Sequence, residues 1–337
     1  MTKQIHIINP LLNLNGGSEQ RSITLAELLA KSPVIEKVVI WHKRDTNPER
    51  LWTNNKIKAR RIDDVKRNLP LDGNHIVYIG SYHMPSNWIL SAHPSRLTLV
   101  ANTDPRQFSF ARTVALLSQI RCKLEFCYAS FWIRNLVGVA GEVQISPINI
   151  QHFQPVDIKA NREFTVGRLS RDVIEKHHPE DKSLYQKLAS QGICIRILGG
   201  RILCNSSPGT TGFSSDRIEI MQEGAEPSNE FLHSLDCFYY RTHPRWIEAH
   251  GRVITEAMST GIPVVAHRNG GYAEFIKHGV NGFLFENTDE AHKLINKLSK
   301  DTNLCSYIGK NARHTMINMF GDDSLKKVCS YYEHHSG

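Results

Sequence analysis

The chain alternates short apolar runs with longer segments of helical periodicity. The segment 18–32 places Ile23, Leu25 and Leu29 on one face and predicts a helix, with Ser18 as its cap. Buried strands are predicted in the first half at 5–8, 37–42, 75–80, 96–102, 123–130 and 137–147. Continuously apolar strands separated by helices indicate a mostly parallel sheet that is covered on both faces.

The same order of elements starts again after a stretch that loses helical periodicity. This stretch, 147–163, carries two prolines and is interpreted as an interdomain linker. Further strands are predicted at 164–170, 194–200, 218–221, 236–240, 262–267 and 282–287.

We therefore expect an α/β protein with two Rossmann-like, doubly wound parallel-sheet domains facing a cleft. The predicted boundaries are 1–150 for an N-terminal domain on the acceptor side and 151–316 for a C-terminal domain that binds the ligand. A last helix, 317–337, is expected to pack back toward the N-terminal domain. Ligands in such sheets bind at the carboxyl ends of the strands.

The composition is compatible with this architecture. A length of 337 residues accommodates two domains of ordinary size, and 40% hydrophobic with 22% charged residues is a globular balance. The net charge of +8 suits an anionic ligand, a nucleic acid or an acidic membrane face. Nucleic acid is not expected, because the lysines are dispersed and do not form basic and aromatic stripes. The amphipathic C-terminal segments have either a membrane-surface role or a solvated face.

The cysteines and the N-terminus indicate a cytoplasmic protein. Seven scattered cysteines, an odd number, do not form a disulfide framework. Cys122 and Cys127 are too far apart for a C-x2-C zinc site, so no metal is expected. The first 17 residues lack the pattern of a signal peptide, and no apolar window is long enough for a membrane span. Peripheral contact at the inner membrane face stays open.

The segment 245–276 carries the most specific chemistry in the chain. Glu248 and Glu256 stand eight positions apart around Gly251, and a helix is predicted to begin at about Arg252. The first amides of a helix lack internal partners and form a phosphate site. A carboxylate on either side of that site can bind a pair of vicinal hydroxyls, which matches a nucleotide-sugar. Alternatively, Glu248 is a solvated loop residue and Glu256 a charge on the helix surface.

This segment resembles the signature of the retaining GT-B glycosyltransferases usually called family 4, or glycosyltransferase group 1. The resemblance is strong over 245–290, moderate over 164–200 and weak over the first 150 residues. The residues that carry it are Glu248, Gly251, Glu256-Ala257-Met258, Gly261, Pro263 to Ala266, Gly270-Gly271, Glu274 and the run 281–286.

The resemblance implies a role for each matching residue. Glu256 is expected to hold the ribose hydroxyls, and Glu248 to face the transferred sugar near its reacting carbon. The backbone from Gly251 through Arg252 to Val253 is expected to contact sugar and phosphate. Gly270 and Gly271 are expected at the nucleotide end of the donor.

Departure of a nucleoside diphosphate needs basic groups or a metal to stabilise its charge. The family places an arginine after a strand-ending glycine and a lysine about five residues later. Arg168 fits the arginine, but Val173 stands at the lysine position, so Arg171 and Lys176 are the candidates. A solvated basic loop is the alternative for all three.

Two further stretches follow predicted strands of the first half. Gly16-Gly17 leads into a helix and can bring amides close to a phosphate or an acceptor, or can form an ordinary strand–helix turn. The resemblance places this turn over the donor phosphates. His83-Met84-Pro85 fits a family histidine that assists near the donor sugar, although one histidine among 17 is a weak signal.

The predicted function is that of a retaining glycosyltransferase, of the kind used in polysaccharide biosynthesis. It would move a hexose-type sugar from a UDP- or GDP-linked donor to a hydroxyl of a glycan, lipid-linked or small-molecule acceptor, without a further cofactor. The alternatives are a sugar-nucleotide epimerase of the same fold and a nucleotide-sugar-binding module without turnover.

Overall fold

The computed structural model describes the chain in several stretches. They are residues 3–10, 16–43, 52, 54–63, 68–80, 87–106, 108–156, 162–204 and 215–333. The chain divides into two compact units. The N-terminal unit comprises Met1–Ile148 together with Asp322–Gly337, and the C-terminal unit comprises Asn149–Gly321.

The N-terminal unit is built on a seven-stranded sheet whose described pairings are all parallel. Its strands are β1 (Lys3–Ile8), β2 (Ile35–His42), β3 (Ile57–Arg61), β4 (His75–Ile79), β5 (Arg96–Ala101), β6 (Leu124–Tyr128) and β7 (Glu142–Val143). The strand order is β3-β2-β1-β4-β5-β6-β7. The direction of winding therefore reverses between β1 and β4.

Helices cover this sheet and close its core. They are α1 (Gly17–Ala30), α2 (Phe108–Leu117), α3 (Phe131–Val137) and, from the end of the chain, α9 (Asp322–Glu333), with a short 3-10 helix at Asn87–Ser91. Tyr332 of α9 is buried in the same apolar cluster as Leu29 of α1 and Ile40 of β2. Burial of this ring attaches the last helix to the N-terminal unit.

The C-terminal unit repeats the architecture with a six-stranded sheet, again parallel in its described pairings. Its strands are β8 (Thr165–Leu169), β9 (Cys194–Leu198), β10 (Ile218–Met221), β11 (Cys237–Tyr240), β12 (Val264–His267) and β13 (Phe283–Phe285). Its helices are α4 (Asp181–Ser190), α5 (Ser228–His233), α6 (Arg252–Ser259), α7 (Thr288–Lys300) and α8 (Thr302–Phe320), with 3-10 helices at Ile174–Lys176, Arg201–Leu203 and Gly271–Glu274.

The strand order of this second sheet determines where a ligand can bind. The order is β10-β9-β8-β11-β12-β13, so the winding reverses between β8 and β11. These two strands run parallel, with Cys237 opposite Val166. Crevices outside the carboxyl ends of strands at such a reversal are the usual ligand sites of doubly wound sheets. A ligand site is therefore expected at the loops that leave β8 and β11.

The sequence-based fold class is confirmed, with differences in detail. Strand β3 was not predicted, because it is a short edge strand whose charged side chains face solvent and interrupt its apolar pattern. The predicted strand at 137–147 shrinks to the two residues of β7, since Gly138 ends helix α3 in a left-handed conformation. The cap of α1 is Gly16 in extended backbone, and Ser18 lies inside the helix. Within the described stretches, no helix is both long and apolar enough to cross a membrane.

Candidate functional site

Two loops of the C-terminal unit meet at the reversal of its sheet. The first leaves β8 and forms the 3-10 helix Ile174–Lys176. The second leaves β11, passes Glu248 and enters α6. They are joined by the His243 amide, which donates to the carbonyl oxygen of Glu175 at 3.1 Å. Parallel pairing of β8 and β11 explains why residues about 70 positions apart come together here.

Glu248 lies at the centre of this meeting point. Its Oε1 atom accepts hydrogen bonds from the Lys176 ammonium, from the Tyr240 hydroxyl at 2.8 Å and from the Trp246 indole nitrogen at 3.2 Å. Its Oε2 atom makes no hydrogen bond to any described residue. The side chain is 14% exposed. Among the described residues, one carboxylate oxygen is thus saturated with donors and the other has none.

The surroundings keep this carboxylate ionised. Burial alone would raise the pKa of Glu248, but the Lys176 ammonium and the donated hydrogen bonds of Tyr240 and Trp246 bring it below its usual value. Burial lowers the pKa of Lys176, and Glu248 opposes that shift. Each charge therefore stabilises the other, and at neutral pH Glu248 is an acceptor of hydrogen bonds and not a proton donor.

Aromatic rings pack around this ion pair. The Lys176 ammonium lies 4.8 Å from the centroid of the Trp246 ring, a cation–π contact. The ring of Tyr240 meets the ring of Tyr272 edge to face, with centroids 6.0 Å apart. The pair is thereby surrounded by rigid side chains with few rotamers.

Arg168 lies in strand β8, deep inside the C-terminal unit. It is fully buried, with Nη1 donating to the Arg241 carbonyl and lying 3.6 Å from Asp181. Its guanidinium carbon is 5.1 Å from the ring centroid of Tyr240. The Nε and Nη2 atoms have no hydrogen-bond partner among the described residues. Buried donors without partners are rare, and an anion is one group that could satisfy them; its contact with a diphosphate stays a prediction.

The two candidates for the lysine position of the family, Lys176 and Arg171, differ in burial. Lys176 is buried and paired with Glu248. Arg171 is exposed. The single turn of 3-10 helix after β8 brings Lys176 to Glu248. The family position of the lysine is occupied by Val173, which has extended backbone and precedes that turn.

Helix α6 begins at Arg252, as the sequence predicted, with Gly251 before it and Val253 as its second residue. Gly251 has φ of +74°, and a Cβ atom built there would lie 2.8 Å from Cδ1 of Tyr272. Both observations require a glycine at the start of this helix.

Glu256 lies one turn inside α6 and is buried. Its Oε1 accepts from Nε of Arg252 at 2.8 Å. Burial raises the pKa of Glu256, and Arg252 only partly opposes the shift. The two acids of the motif therefore have opposite environments. The surroundings of Glu248 favour its ionised form, whereas those of Glu256 disfavour it.

Gly270 and Gly271 lie beside Glu248. The Gly271 amide donates to the Glu248 carbonyl at 2.8 Å, and the two segments form a parallel bridge. A Cβ atom on Gly270 would lie 2.4 Å from Cε1 of Tyr272. These two glycines thus contact the Glu248 end of the motif. Their expected position at the nucleotide end of the donor stays a prediction.

The candidates in the N-terminal unit follow strands β1 and β4, which are neighbours. Gly16 is extended, and a Cβ atom there would lie 2.0 Å from Oε2 of Glu19, so the glycine makes room for that carboxylate. Gly17 is the first residue of α1, with open space at its Cβ position. His83 lies outside the described residues.

Sequence reasoning missed Tyr240, Trp246 and Tyr272. Tyr240 is the last residue of a strand at the reversal of the sheet, and that position alone could have marked it. No sequence pattern marks Trp246 or Tyr272, because the residues that they contact come together only when the loops pack. In the part of the chain that the structure describes, no group of three or more acidic, histidine or cysteine side chains could hold a metal ion.

Parts of this chain are similar to known proteins. Residues 216–315 match the family model described as glycosyl transferases group 1, which confirms the resemblance for this segment. N-acetyl-alpha-D-glucosaminyl L-malate synthase of Bacillus anthracis is 37% identical over 89 residues, or 26% of this chain and 22% of that protein. The capsular polysaccharide biosynthesis glycosyltransferase CapM of Staphylococcus aureus is 25% identical over 172 residues, or 49% of this chain and 44% of that protein.

The similarity to solved structures extends over almost the whole chain. Anabaena Alr3699/HepE, crystallised in complex with UDP-glucose, superposes with a TM-score of 0.72 and 17% identity over 98% of both chains. This likeness shows the fold, which is the GT-B class with two parallel-sheet domains. The sequence matches span less than half the length of the two curated relatives.

Proposed function

We propose that this chain, whose residues 216–315 match the family model of the glycosyl transferases group 1, transfers a sugar from a nucleoside diphosphate-sugar to a hydroxyl group. The observation that carries the proposal is the arrangement of Glu248. It is a carboxylate whose Oε1 accepts from three donors, one of them the buried Lys176, and it lies four residues before the start of helix α6. The donor would be bound by the C-terminal unit.

Each part of the donor has a matching group at this position. Amides at the start of α6 and the Lys176 ammonium suit the diphosphate. The second carboxylate, Glu256, suits the ribose hydroxyls, and Oε2 of Glu248 suits a hydroxyl of the sugar that moves. The complex of the fold neighbour with UDP-glucose supports a donor of this kind, linked to UDP or GDP.

The reaction is written as transfer with retention at the anomeric carbon. The bond from that carbon to the diphosphate oxygen breaks, and its electron pair stays on the oxygen. The acceptor hydroxyl oxygen bonds to the same face of the carbon, and its proton passes to the departing phosphate oxygen. Lys176 and Arg168 stabilise the charge that develops on the leaving group. Glu248, being ionised, orients the sugar and supplies no proton.

The transferred group is proposed to be a hexose-type sugar, and the acceptor a glycan, lipid-linked or small-molecule hydroxyl. The names of the two curated relatives refer to synthesis of an N-acetyl-alpha-D-glucosaminyl L-malate and to capsular polysaccharide biosynthesis, and this difference supports a range of acceptors. A cytoplasmic location, with peripheral membrane contact as an option, belongs to the same proposal.

The test is a donor panel with the full chain. The protein is incubated with UDP-, GDP- and ADP-linked sugars, and free nucleoside diphosphate is measured over time. Slow release from one donor without any acceptor, accelerated by an acceptor alcohol, is the expected result, and NMR of the product gives its anomeric configuration. Binding without release under any condition would indicate a binding module. Appearance of a new sugar nucleotide would indicate an epimerase.

A further inference from the structure

We infer that Tyr240 and Trp246 are positioning residues, which fix Oε1 of Glu248 so that only Oε2 is presented to the transferred sugar. The inference rests on the proposed function, because it assigns a purpose to the way in which Glu248 is held.

Three donors converge on one oxygen atom of Glu248. A carboxylate oxygen offers about two lone-pair directions. Oε1 of Glu248 already accepts from Lys176, Tyr240 and Trp246, while Oε2 accepts from no described residue. A sugar hydroxyl can therefore reach only Oε2 without displacing a protein donor. The three donors on Oε1 thus leave Oε2 as the carboxylate oxygen that faces the sugar.

Tyr240 is held rigidly by the sheet and by its neighbours. It is the last residue of β11 and is buried, so its backbone belongs to the sheet and not to the loop that carries Glu248. Its ring contacts both the guanidinium of Arg168 and the ring of Tyr272. Tyr272 in turn occupies the space left free by Gly251 and Gly270. The hydroxyl of Tyr240 is consequently a fixed reference point for a loop carboxylate.

Trp246 contacts both members of the ion pair. Its amide donates to the His243 carbonyl at 2.8 Å, and its carbonyl accepts from the Thr242 hydroxyl at 2.8 Å, which ties its backbone down. Its indole nitrogen donates to Glu248, and its ring packs against the Lys176 ammonium. One side chain therefore sets the positions of both charges.

This arrangement has a consequence for donor binding. Lys176 pairs with Glu248, and under the proposed function it would also pair with an arriving diphosphate, because both groups are anionic. Tyr240 and Trp246 carry no charge that a diphosphate could draw away. They keep Oε1 occupied and Glu248 ionised when Lys176 turns toward the leaving group.

The test compares Tyr240→Phe and Trp246→Phe with wild type. Each variant deletes one donor and keeps an aromatic ring, and each is expected to lower kcat about tenfold, the effect of losing a hydrogen bond to a charged group. The dissociation constant for free nucleoside diphosphate is expected to stay within about twofold, because the deleted donors face Glu248 and not the nucleotide.

The pH profile is the readout that a merely structural role would not move. The groups that face Glu248 come from four elements: Lys176 from the 3-10 helix after β8, Tyr240 from the sheet, Trp246 from its own loop and Tyr272 from the 3-10 helix Gly271–Glu274. The guanidinium of Arg168 packs against the ring of Tyr240. Loss of either neutral donor raises the pKa of Glu248, so the acid limb of kcat is expected to shift to higher pH.

Two control variants separate positioning from packing. Tyr128→Phe deletes another buried hydroxyl, which donates to the Val139 carbonyl in the N-terminal unit. Trp88→Phe removes an indole nitrogen that has no partner among the described residues. Both are expected to keep the wild-type kcat and acid limb.

The outcomes distinguish the inference from the function beneath it. If wild type releases nucleoside diphosphate but both Phe variants keep its kcat and acid limb, the inference is wrong and the proposed function stands. If wild type releases none from any donor, both are wrong. Should Tyr240→Phe fail to fold, Trp246→Phe decides alone, since Trp246 lies in a loop and is only partly buried.

Discussion

Tyr240 donates its hydroxyl hydrogen to Oε1 of Glu248 across 2.8 Å. The tyrosine ends a central strand, and the glutamate lies in the loop that follows it, so a residue fixed by the sheet holds a residue of the loop. Glu248 is thereby kept as an oriented anion in a buried position. This relationship leads to several expectations that can be measured.

The variant Glu248→Gln is expected to lower kcat about 100-fold and to leave nucleoside diphosphate affinity within about threefold. The amide keeps the shape of the side chain but cannot pair with Lys176 or accept as strongly from the sugar. Steady-state kinetics and calorimetric titration with UDP and GDP measure the two effects. Glu219→Gln, which alters an exposed pair with Arg196 in the same unit, is the matched control and should behave as wild type. Equal losses of kcat and of nucleotide affinity would contradict this division.

The variant Glu256→Ala is expected to weaken binding of free nucleoside diphosphate about tenfold, because the ribose hydroxyls lose a charged acceptor. At saturating donor, kcat should fall less than in Glu248→Gln. The same titrations and kinetics report both numbers. Unchanged affinity together with a large loss of kcat would show that Glu256 does not hold the nucleotide.

The two acids are expected to affect stability with opposite signs. Burial raises the pKa of Glu256, so its ionised form costs folded-state stability above the folded pKa, and Glu256→Gln should stabilise the protein at pH 8. That gain should shrink as the pH falls through the raised pKa.

For Glu248 the pKa is lowered, so its stabilisation is present above the unfolded value of about 4.3 and is lost as the pH falls through the folded pKa. Glu248→Gln should therefore destabilise the protein at pH 8, by less at acid pH. Urea unfolding of both variants and wild type at several pH values checks the signs. Shifts of the same sign for both variants would refute the contrast.

Lys176→Met is expected to weaken nucleoside diphosphate binding about tenfold and to lower kcat, whereas Arg171→Met should have the smaller effect on both. The reason is position, because Lys176 contacts Glu248 and Arg171 is exposed. Unfolding must be measured alongside, since removing one partner of a buried ion pair costs about 3–5 kcal/mol. A larger loss of affinity in Arg171→Met than in Lys176→Met would reverse the assignment.

Gly251→Ala is expected to destabilise the protein by about 2–4 kcal/mol, combining a left-handed backbone with a steric clash. The added methyl group would lie 2.8 Å from the ring of Tyr272. Gly192→Ala is the control, since Gly192 has φ of +88° but open space at its Cβ position. It should cost about 1 kcal/mol, from the backbone alone. Equal costs for the two variants in denaturant unfolding would mean that Tyr272 simply moves aside.

Part of the site could be predicted from local sequence. The start of α6 at Arg252, the glycine before it and the position of Glu256 one turn inside follow from helix periodicity and a motif within a dozen residues. The burial of Lys176 and the exposure of Arg171 could not be predicted in this way, because Val173 stands at the family position of the lysine and both candidates lie on an irregular loop. His83 and its assignment still await a test, as it falls outside the described residues.

The sequence by itself determined the parallel strands, their restart after the linker, the helix start and the pair of acids, since each depends on neighbours within a few residues. Only the tertiary structure decided that Tyr240, Trp246 and Lys176 converge on one oxygen of Glu248 and that Arg168 lies behind Tyr240. These contacts depend on β8 and β11 lying side by side and on rotamers set by packing. Both are properties of distant segments that no local pattern contains.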